Sequence, residues 1–157
     1  MPERYQELLA SAKKETELAD HLIYVTYPII KEVKFLLAIT EHVITAARSA
    51  VEALLAFEQH YKRIEPFSTN FAVMAQTYKE KVEPFYSLDP KFHRLLLKLQ
   101  EIQHMNMQAP VKFKRGEKYI LANHEYKLTT LDFESVKKYS NLAKGFVKQV
   151  EGILAKV

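Results

Sequence analysis

The sequence predicts a mainly α-helical fold, a bundle of about five helices with a small β-hairpin before the C-terminal helix. Apolar side chains recur at helical spacing over most of the chain, whereas strict alternation is confined to a short stretch near residue 115. Only 3 glycines and 6 prolines occur in 157 residues, which favours helix over an all-β fold. Because this length is typical of one domain, residues 1–157 are expected to form a single helical-bundle domain with the hairpin inserted around residues 111–129.

The first helix is predicted from apolar residues at helical spacing between Tyr5 and Ile23, with charged residues on the other side. We expect Thr26-Tyr27-Pro28 to interrupt it, because proline has no N–H for the helix ladder and restricts the residue before it. Proline is also acceptable at the first position of a helix. The chain therefore either turns at Pro28 or kinks there within a long rod.

The second helix is predicted over residues 29–64, where it would span about 54 Å. That length exceeds what a small core needs, so part of this helix is expected to face a partner. A stripe of small residues allows another helix to approach closely. It consists of Ala46, Ala47, Ala50 and Ala53. These alanines fit either an ordinary tight bundle or a homodimer, the commonest soluble oligomer.

The third helix is expected to begin at a cap supplied by Ser68 or Thr69 and to end at Pro84. The fourth helix is predicted to begin at Asp89-Pro90, since aspartate accepts hydrogen bonds from free N–H groups and proline suits the first helical position. It is expected to end before Pro110.

A change of period marks the hairpin. Apolar and basic residues alternate over residues 111–114, and after Arg115-Gly116-Glu117 a second extended run covers residues 118–121. A third short strand is expected over residues 126–129. The final helix is predicted to be capped by Thr130 or Asp132 and to carry a continuous apolar face.

Positive charge is concentrated after residue 110. Residues 110–157 contain ten basic and five acidic side chains, whereas the preceding residues contain 13 basic and 14 acidic ones. The net charge of +4 therefore arises entirely in this segment. The candidate anion-binding residues are Lys112, Lys114, Arg115, Lys118, Lys137 and Lys144.

Two interpretations of these cations stay open. A basic face attracts nucleic-acid phosphates or an acidic protein surface. Alternatively, lysines on an exposed strand prevent strand-to-strand aggregation. The sequence contains no RNA-recognition fingerprint, zinc finger or helix-turn-helix pattern, so sequence-specific readout has no support.

The sequence offers little evidence for a catalytic site or a metal site. Glu101 and His104 have the Glu-x-x-His spacing that helical bundles use for metal ions, but no second copy of this motif is present. The chain has no cysteine, no P-loop and no nucleophile elbow. We therefore predict no cofactor, and we interpret His104 as a surface histidine unless carboxylates from other helices converge on it.

A polar aromatic pocket is a further prediction, provided that the first two helices are antiparallel. It would gather three tyrosines and two histidines where these helices meet. The residues are His21, Tyr24, Tyr27, His60 and Tyr61. An aromatic core with hydroxyl groups at its rim explains the same residues more simply.

The run from His21 to Pro28, followed by Lys31-Glu-Val-Lys-Phe-Leu-Leu, resembles small uncharacterised archaeal helical proteins. The layout of four helices with a long second one is also similar to HEPN-type bundles. This resemblance implies RNA cleavage or partnership with nucleotidyltransferases, with an arginine followed closely by a histidine. Here Arg48 and His60, and likewise Arg94 and His104, are too far apart, and His42 precedes Arg48.

We therefore expect a non-enzymatic binding module for a macromolecular partner, either nucleic acid or an acidic protein surface, which the basic C-terminal face would contact. The alternatives are a HEPN-like RNA-processing enzyme or toxin-related protein with a degenerate site, and a metal-binding bundle. The first residues lack the features of a secretory signal, and the apolar second helix carries charges unsuited to a membrane span. A cytoplasmic protein without a membrane partner is thus expected.

Overall fold

A computed structural model describes residues 2–156, and it confirms the mainly α-helical class. The helices are α1 (Arg4–His21), α2 (Tyr27–Ile30), α3 (Phe35–His60), α4 (Phe71–Thr77), α5 (Glu83–Tyr86), α6 (Pro90–Gln108) and α7 (Phe133–Leu154). The strands are β1 (Val111–Arg115), β2 (Lys118–Ala122) and β3 (Leu128–Leu131). Two π-helical turns join α1 to α2 and α4 to α5, so the described part of the chain forms five continuous helical segments.

Neither Pro28 nor Pro84 ends its helix, which corrects the prediction for Pro84; at Pro28, where a turn or a kink was expected, the helix continues to Ile30. Each lies in the first turn of a short α-helix that follows a π-helical turn, Leu22–Thr26 or Tyr78–Val82. In an α-helix the proline ring clashes with the carbonyl of the residue four positions earlier. A wider turn before the proline avoids this clash, so the helix continues for one more turn. The segments then end at residues in the left-handed region, Lys31 (φ 54°) and Ser87 (φ 51°).

The long second helix is shorter than predicted. Helix α3 begins at Phe35 because Lys31 has already ended the preceding segment, and its 26 residues span about 39 Å. The alanine stripe, Ala46, Ala47, Ala50 and Ala53, is fully buried within the chain itself. The ordinary bundle thus explains these alanines, and the stripe offers no surface to a second copy.

Helices α1 and α3 are antiparallel neighbours. The Arg4 guanidinium lies 3.1 Å from the Glu52 carboxylate, while Nδ1 of His42 lies 2.6 Å from the carboxylate of Glu15. Early residues of one helix therefore meet late residues of the other. The hydrophobic core contains side chains from all five helical segments and also Leu131 of β3.

Side-chain caps fix where the later helices begin. Asp89 accepts a hydrogen bond from the Lys91 amide, with Pro90 next to it as predicted. Asp132 caps α7 by accepting from the Ser135 amide at 2.7 Å. The cap of α4 is Asn70 rather than Ser68 or Thr69; Ser68 instead accepts a hydrogen bond from the Asn70 amide.

The predicted hairpin is part of a three-stranded antiparallel sheet in the order β1-β2-β3. Gly116 has φ +62° and Glu117 has no positive φ, which is the pattern of a type II′ turn. The third strand starts at Leu128, two residues later than predicted, because Asn123 and Tyr126 (φ 61°) form a turn before it. Strand β1 is one of the two edge strands, and all five of its residues are exposed.

Candidate nucleic-acid interface

A groove forms where the hairpin turn approaches the ends of two helical segments. We call it the hairpin groove; its volume is about 690 Å³. One wall is the end of the first helical segment, the second is the hairpin turn, and the third is the first turn of α7. The lining residues are Tyr27, Pro28, Lys31, Val33, Lys114, Gly116, Glu117, Lys118, Asp132, Phe133 and Glu134.

Two of the predicted anion-binding residues, Lys114 and Lys118, line the hairpin groove from the two strands of the hairpin. Sequence reasoning missed a third cation, Lys31, which the left-handed end of α2 places on the opposite wall. None of these three lysines has a carboxylate within ion-pair distance among residues 2–156. Their charges are therefore available to an anionic ligand.

The other hairpin cations lie outside the groove lining. Cross-strand pairs share a face of the sheet, so Lys112 lies with Leu121, whereas Arg115 lies opposite Lys118 on the other face. Lys112 and Lys114 thus share one face, as their alternation with Val111 and Phe113 predicts, while Arg115 and Lys118 lie on the other. Lys112 and Arg115 are exposed to water, as are the other residues of β1.

Aromatic rings form the base of the groove. Tyr27 and Phe133 stack with ring centroids 4.7 Å apart and an interplanar angle of 17°. The ammonium group of Lys137 lies 5.8 Å from the centroid of Phe133 and 5.7 Å from that of Tyr24. Burial raises the pKa of the Tyr27 phenol, and the nearby Glu117 carboxylate adds to this rise. Aromatic faces and ammonium groups therefore lie side by side.

The predicted outer contact Lys144 is already engaged. It forms an ion pair with Asp20 of α1, and so it contributes to the packing of α7 on α1. The groove also contains acidic side chains, Glu117, Asp132 and Glu134. Asp132 is occupied by its cap on α7, whereas Glu117 projects from the turn between the lysines.

The predicted pocket of tyrosines and histidines does not form. Because α1 and α3 are antiparallel, His60 and Tyr61 lie beside Tyr5 at the start of α1. Tyr24 and Tyr27 lie at the other end, next to Phe133 and Lys137. The five residues are thus divided between the two ends of the bundle.

Within residues 2–156, no third histidine or carboxylate joins the metal candidates Glu101 and His104. Glu101 lies 3.9 Å from the ammonium group of Lys98, and residues 2–156 contain no group of three histidine or carboxylate side chains that could hold a metal ion. The HEPN resemblance implies a neighbouring arginine and histidine. Here Arg48 donates a hydrogen bond to the Thr69 carbonyl, and His42 contacts Glu15. These contacts do not bring Arg48 to a histidine.

A buried carboxylate lies at the far end of the bundle. Glu58 is 2% exposed, and it accepts hydrogen bonds from the Arg63 guanidinium and the Tyr86 hydroxyl. Burial, followed by this bond to Glu58, raises the pKa of Tyr86 to about 12. Arg63 also lies over the rings of Phe57 and Tyr61, at 5.2 and 5.3 Å. This cluster joins α3, α5 and the loop that follows α3.

A second inner polar cluster surrounds the π-helical turn before Pro84. Glu83 pairs with Lys79 at 2.6 Å through one oxygen, while its other oxygen has no partner. The Tyr78 hydroxyl and Nε2 of His93 are also buried without partners. Burial raises the pKa of Tyr78 and, with help from Lys79, lowers the pKa of His93, so both groups stay neutral near neutral pH.

Comparison with known proteins identifies no relative. Neither a protein-family model, nor a curated protein, nor a solved structure matches the chain. Within residues 2–156, no helix has the length and apolar character needed to span a membrane.

Proposed function

We propose that this chain is a non-enzymatic binding module that holds single-stranded nucleic acid in the hairpin groove. The observation that supports this most directly is the meeting of Lys31, Lys114 and Lys118 around the stacked rings of Tyr27 and Phe133. Lysines attract phosphates regardless of sequence, and aromatic faces stack on unpaired bases.

Single strands suit this groove better than duplexes. In a duplex the bases are already stacked on one another, whereas unpaired bases can reach aromatic side chains. Tyr24 is half exposed beside Lys137 and would extend the platform beyond Phe133. Three carboxylates in the same groove, Glu117, Asp132 and Glu134, oppose phosphate binding. We therefore expect modest affinity that depends strongly on salt.

The test is a fluorescence-anisotropy titration of a mixed-sequence single-stranded RNA oligomer at several salt concentrations. If Lys31, Lys114, Lys118 and Lys137 each neutralise one phosphate, the logarithm of affinity should fall against the logarithm of salt with a slope of about −3. The variant Lys118→Glu/Lys137→Glu should bind much more weakly and roughly halve this slope.

The matched control is Lys14→Glu/Lys148→Glu, which changes the net charge equally at exposed lysines outside the groove. It should bind almost as well as the native chain. Equal losses in both variants would mean that net charge alone drives binding, and no binding of the native chain at low salt would reject the proposal. Circular dichroism of each variant should confirm that the helices are retained.

Removing one of the acidic charges from the groove should have the opposite effect. We expect Glu117→Gln to strengthen RNA binding by about twofold to fivefold at low salt, because one exposed repulsive charge is lost. The gain should disappear at high salt as the charges are screened. The control Glu125→Gln removes an exposed carboxylate from the neighbouring turn and should leave the affinity unchanged. An equal gain in both variants would show that the ligand does not occupy the groove.

A further inference from the structure

The outer edge of β1 has free main-chain hydrogen-bonding groups at two residues. A type II′ turn makes Arg115 and Lys118 a hydrogen-bonded pair, and such pairs alternate with non-bonded ones along an antiparallel hairpin. The amides of Phe113 and Val111 therefore face β2. Those of Lys112 and Lys114 point away from the sheet, together with their carbonyl groups.

The side chains of β1 present a different chemistry on each face. Lys112 and Lys114 project on one face, while Val111 (51% exposed) and Phe113 (38% exposed) project on the other. Leu128 of β3 adds a further exposed apolar group to the second face, since it pairs with Ala122 next to Val111. A strand added to this edge would thus meet lysines on one side and, on the other, apolar groups with Arg115 at the turn end.

We infer that β1 is a docking edge for an extended acidic segment of another protein, in which acidic and apolar residues alternate. Main-chain bonds to Lys112 and Lys114 would supply affinity, as in other cases where a peptide adds a strand to a sheet edge. The alternation supplies specificity, because acidic side chains would lie beside the two lysines while apolar ones cover Val111 and Phe113.

The charge pattern selects this occupant over a second copy of the chain. Pairing of two β1 strands would bring lysines of both copies against one another, and like charges directly opposite are destabilising. The same lysines therefore repel the chain's own edge and attract an acidic one. The two proposed sites share Lys114, but Lys112, Val111 and Phe113 do not line the hairpin groove, so variants of Lys112 test this edge separately from RNA binding.

The experiment uses two peptides of about eight residues, longer than β1 itself, built from equal numbers of glutamate and valine. One peptide alternates the two residues, and the other has them in two blocks. Binding is measured by fluorescence anisotropy to the full chain and to two variants, Lys112→Pro and Lys112→Gln. Both variants lose the charge, but only the proline variant loses the outward amide. Lys118→Glu/Lys137→Glu serves as the groove control.

We expect the alternating peptide to bind more tightly than the block peptide. The proline variant should lose about fivefold in affinity relative to the glutamine variant, which corresponds to one main-chain hydrogen bond. The groove control should keep most of its peptide binding, so failure of RNA binding and failure of peptide binding are separate outcomes. Equal binding of the two peptides, or of the two folded Lys112 variants, would overturn the inference.

Amide hydrogen exchange of the native chain decides the matter even if the proline variant does not fold. Addition of the alternating peptide should slow exchange at Lys112 and Lys114 and leave Phe113, whose amide already faces β2, as the internal reference. Unchanged exchange at both lysine amides would contradict strand addition. The lysines would then serve only to prevent strand-to-strand aggregation at this edge. Protection by the RNA oligomer instead of the peptide would assign this edge to nucleic acid.

Discussion

Replacing Arg63 by leucine is expected to lower the free energy of unfolding by about 3 kcal/mol at neutral pH. The variant leaves the carboxylate of Glu58 buried with only the Tyr86 hydroxyl as its partner. A buried charge without its counter-ion is costly, because the interior solvates it poorly. Urea unfolding followed by circular dichroism measures the loss.

Two companion variants separate this explanation from simple loss of contacts. Glu58→Gln/Arg63→Leu removes both charges and should recover most of the stability, since an amide can still accept the hydrogen bond from Tyr86. Lys13→Leu breaks the ion pair with Glu151 at 2.5 Å, in which both side chains are more than two-fifths exposed, and should cost less than about 1 kcal/mol. If the double variant is as unstable as Arg63→Leu, the buried charge is not the cause.

The sequence predicted the elements that depend on local chemistry. Alternation around Gly116 identified the hairpin, and Asp89 and Asp132 identified two helix starts, because a turn and a side-chain cap involve only neighbouring residues. The prediction that Pro84 ends its helix was wrong, and at Pro28, where a turn or a kink was expected, the helix continues to Ile30. A π-helical turn before each proline is a property of the backbone that no side-chain pattern revealed.

The candidate site was only partly predictable. Lys114 and Lys118 were identified from charge, but Lys31 and the stack of Tyr27 on Phe133 depend on how the first helical segment ends beside α7. That contact joins residues far apart in the chain, so no local spacing indicates it. Lys144 was assigned to the anion-binding surface from its spacing on α7, and its pairing with Asp20 of α1 was equally invisible to local patterns.

Buried polar groups escaped sequence reasoning for the same reason. Glu58 looks like any polar residue near the end of an amphipathic helix, and only the folded chain brings Arg63 and Tyr86 onto it. Arg63 and Tyr86 lie close to Pro66 and Pro84 in the sequence, but this does not indicate that they contact Glu58. The path of the loop decides which side chains pack against α3. Tertiary packing, rather than helical periodicity, therefore determines which charged side chains are buried.

Removal of the Phe146 ring is expected to give the other large effect on stability. Phe146 is fully buried on α7, where its ring centroid lies 5.5 Å from that of Tyr78 and 5.4 Å from that of Phe92. It therefore fixes α7 against both α6 and the π-helical turn after α4. Phe146→Ala leaves a cavity that these rings cannot fill without moving, and we expect a loss of about 3–5 kcal/mol in urea unfolding.

The exposed Phe85 provides the matched control, because its ring is 64% exposed and Phe85→Ala should change stability by less than about 1 kcal/mol. Equal losses in the two alanine variants would contradict a core role for Phe146. Where Phe146→Ala remains folded, RNA binding should persist, since Phe133 and Lys137 lie more than two helical turns away along α7. Loss of RNA binding in the folded variant would mean that the groove depends on how α7 is seated along its whole length, and not on the groove walls alone.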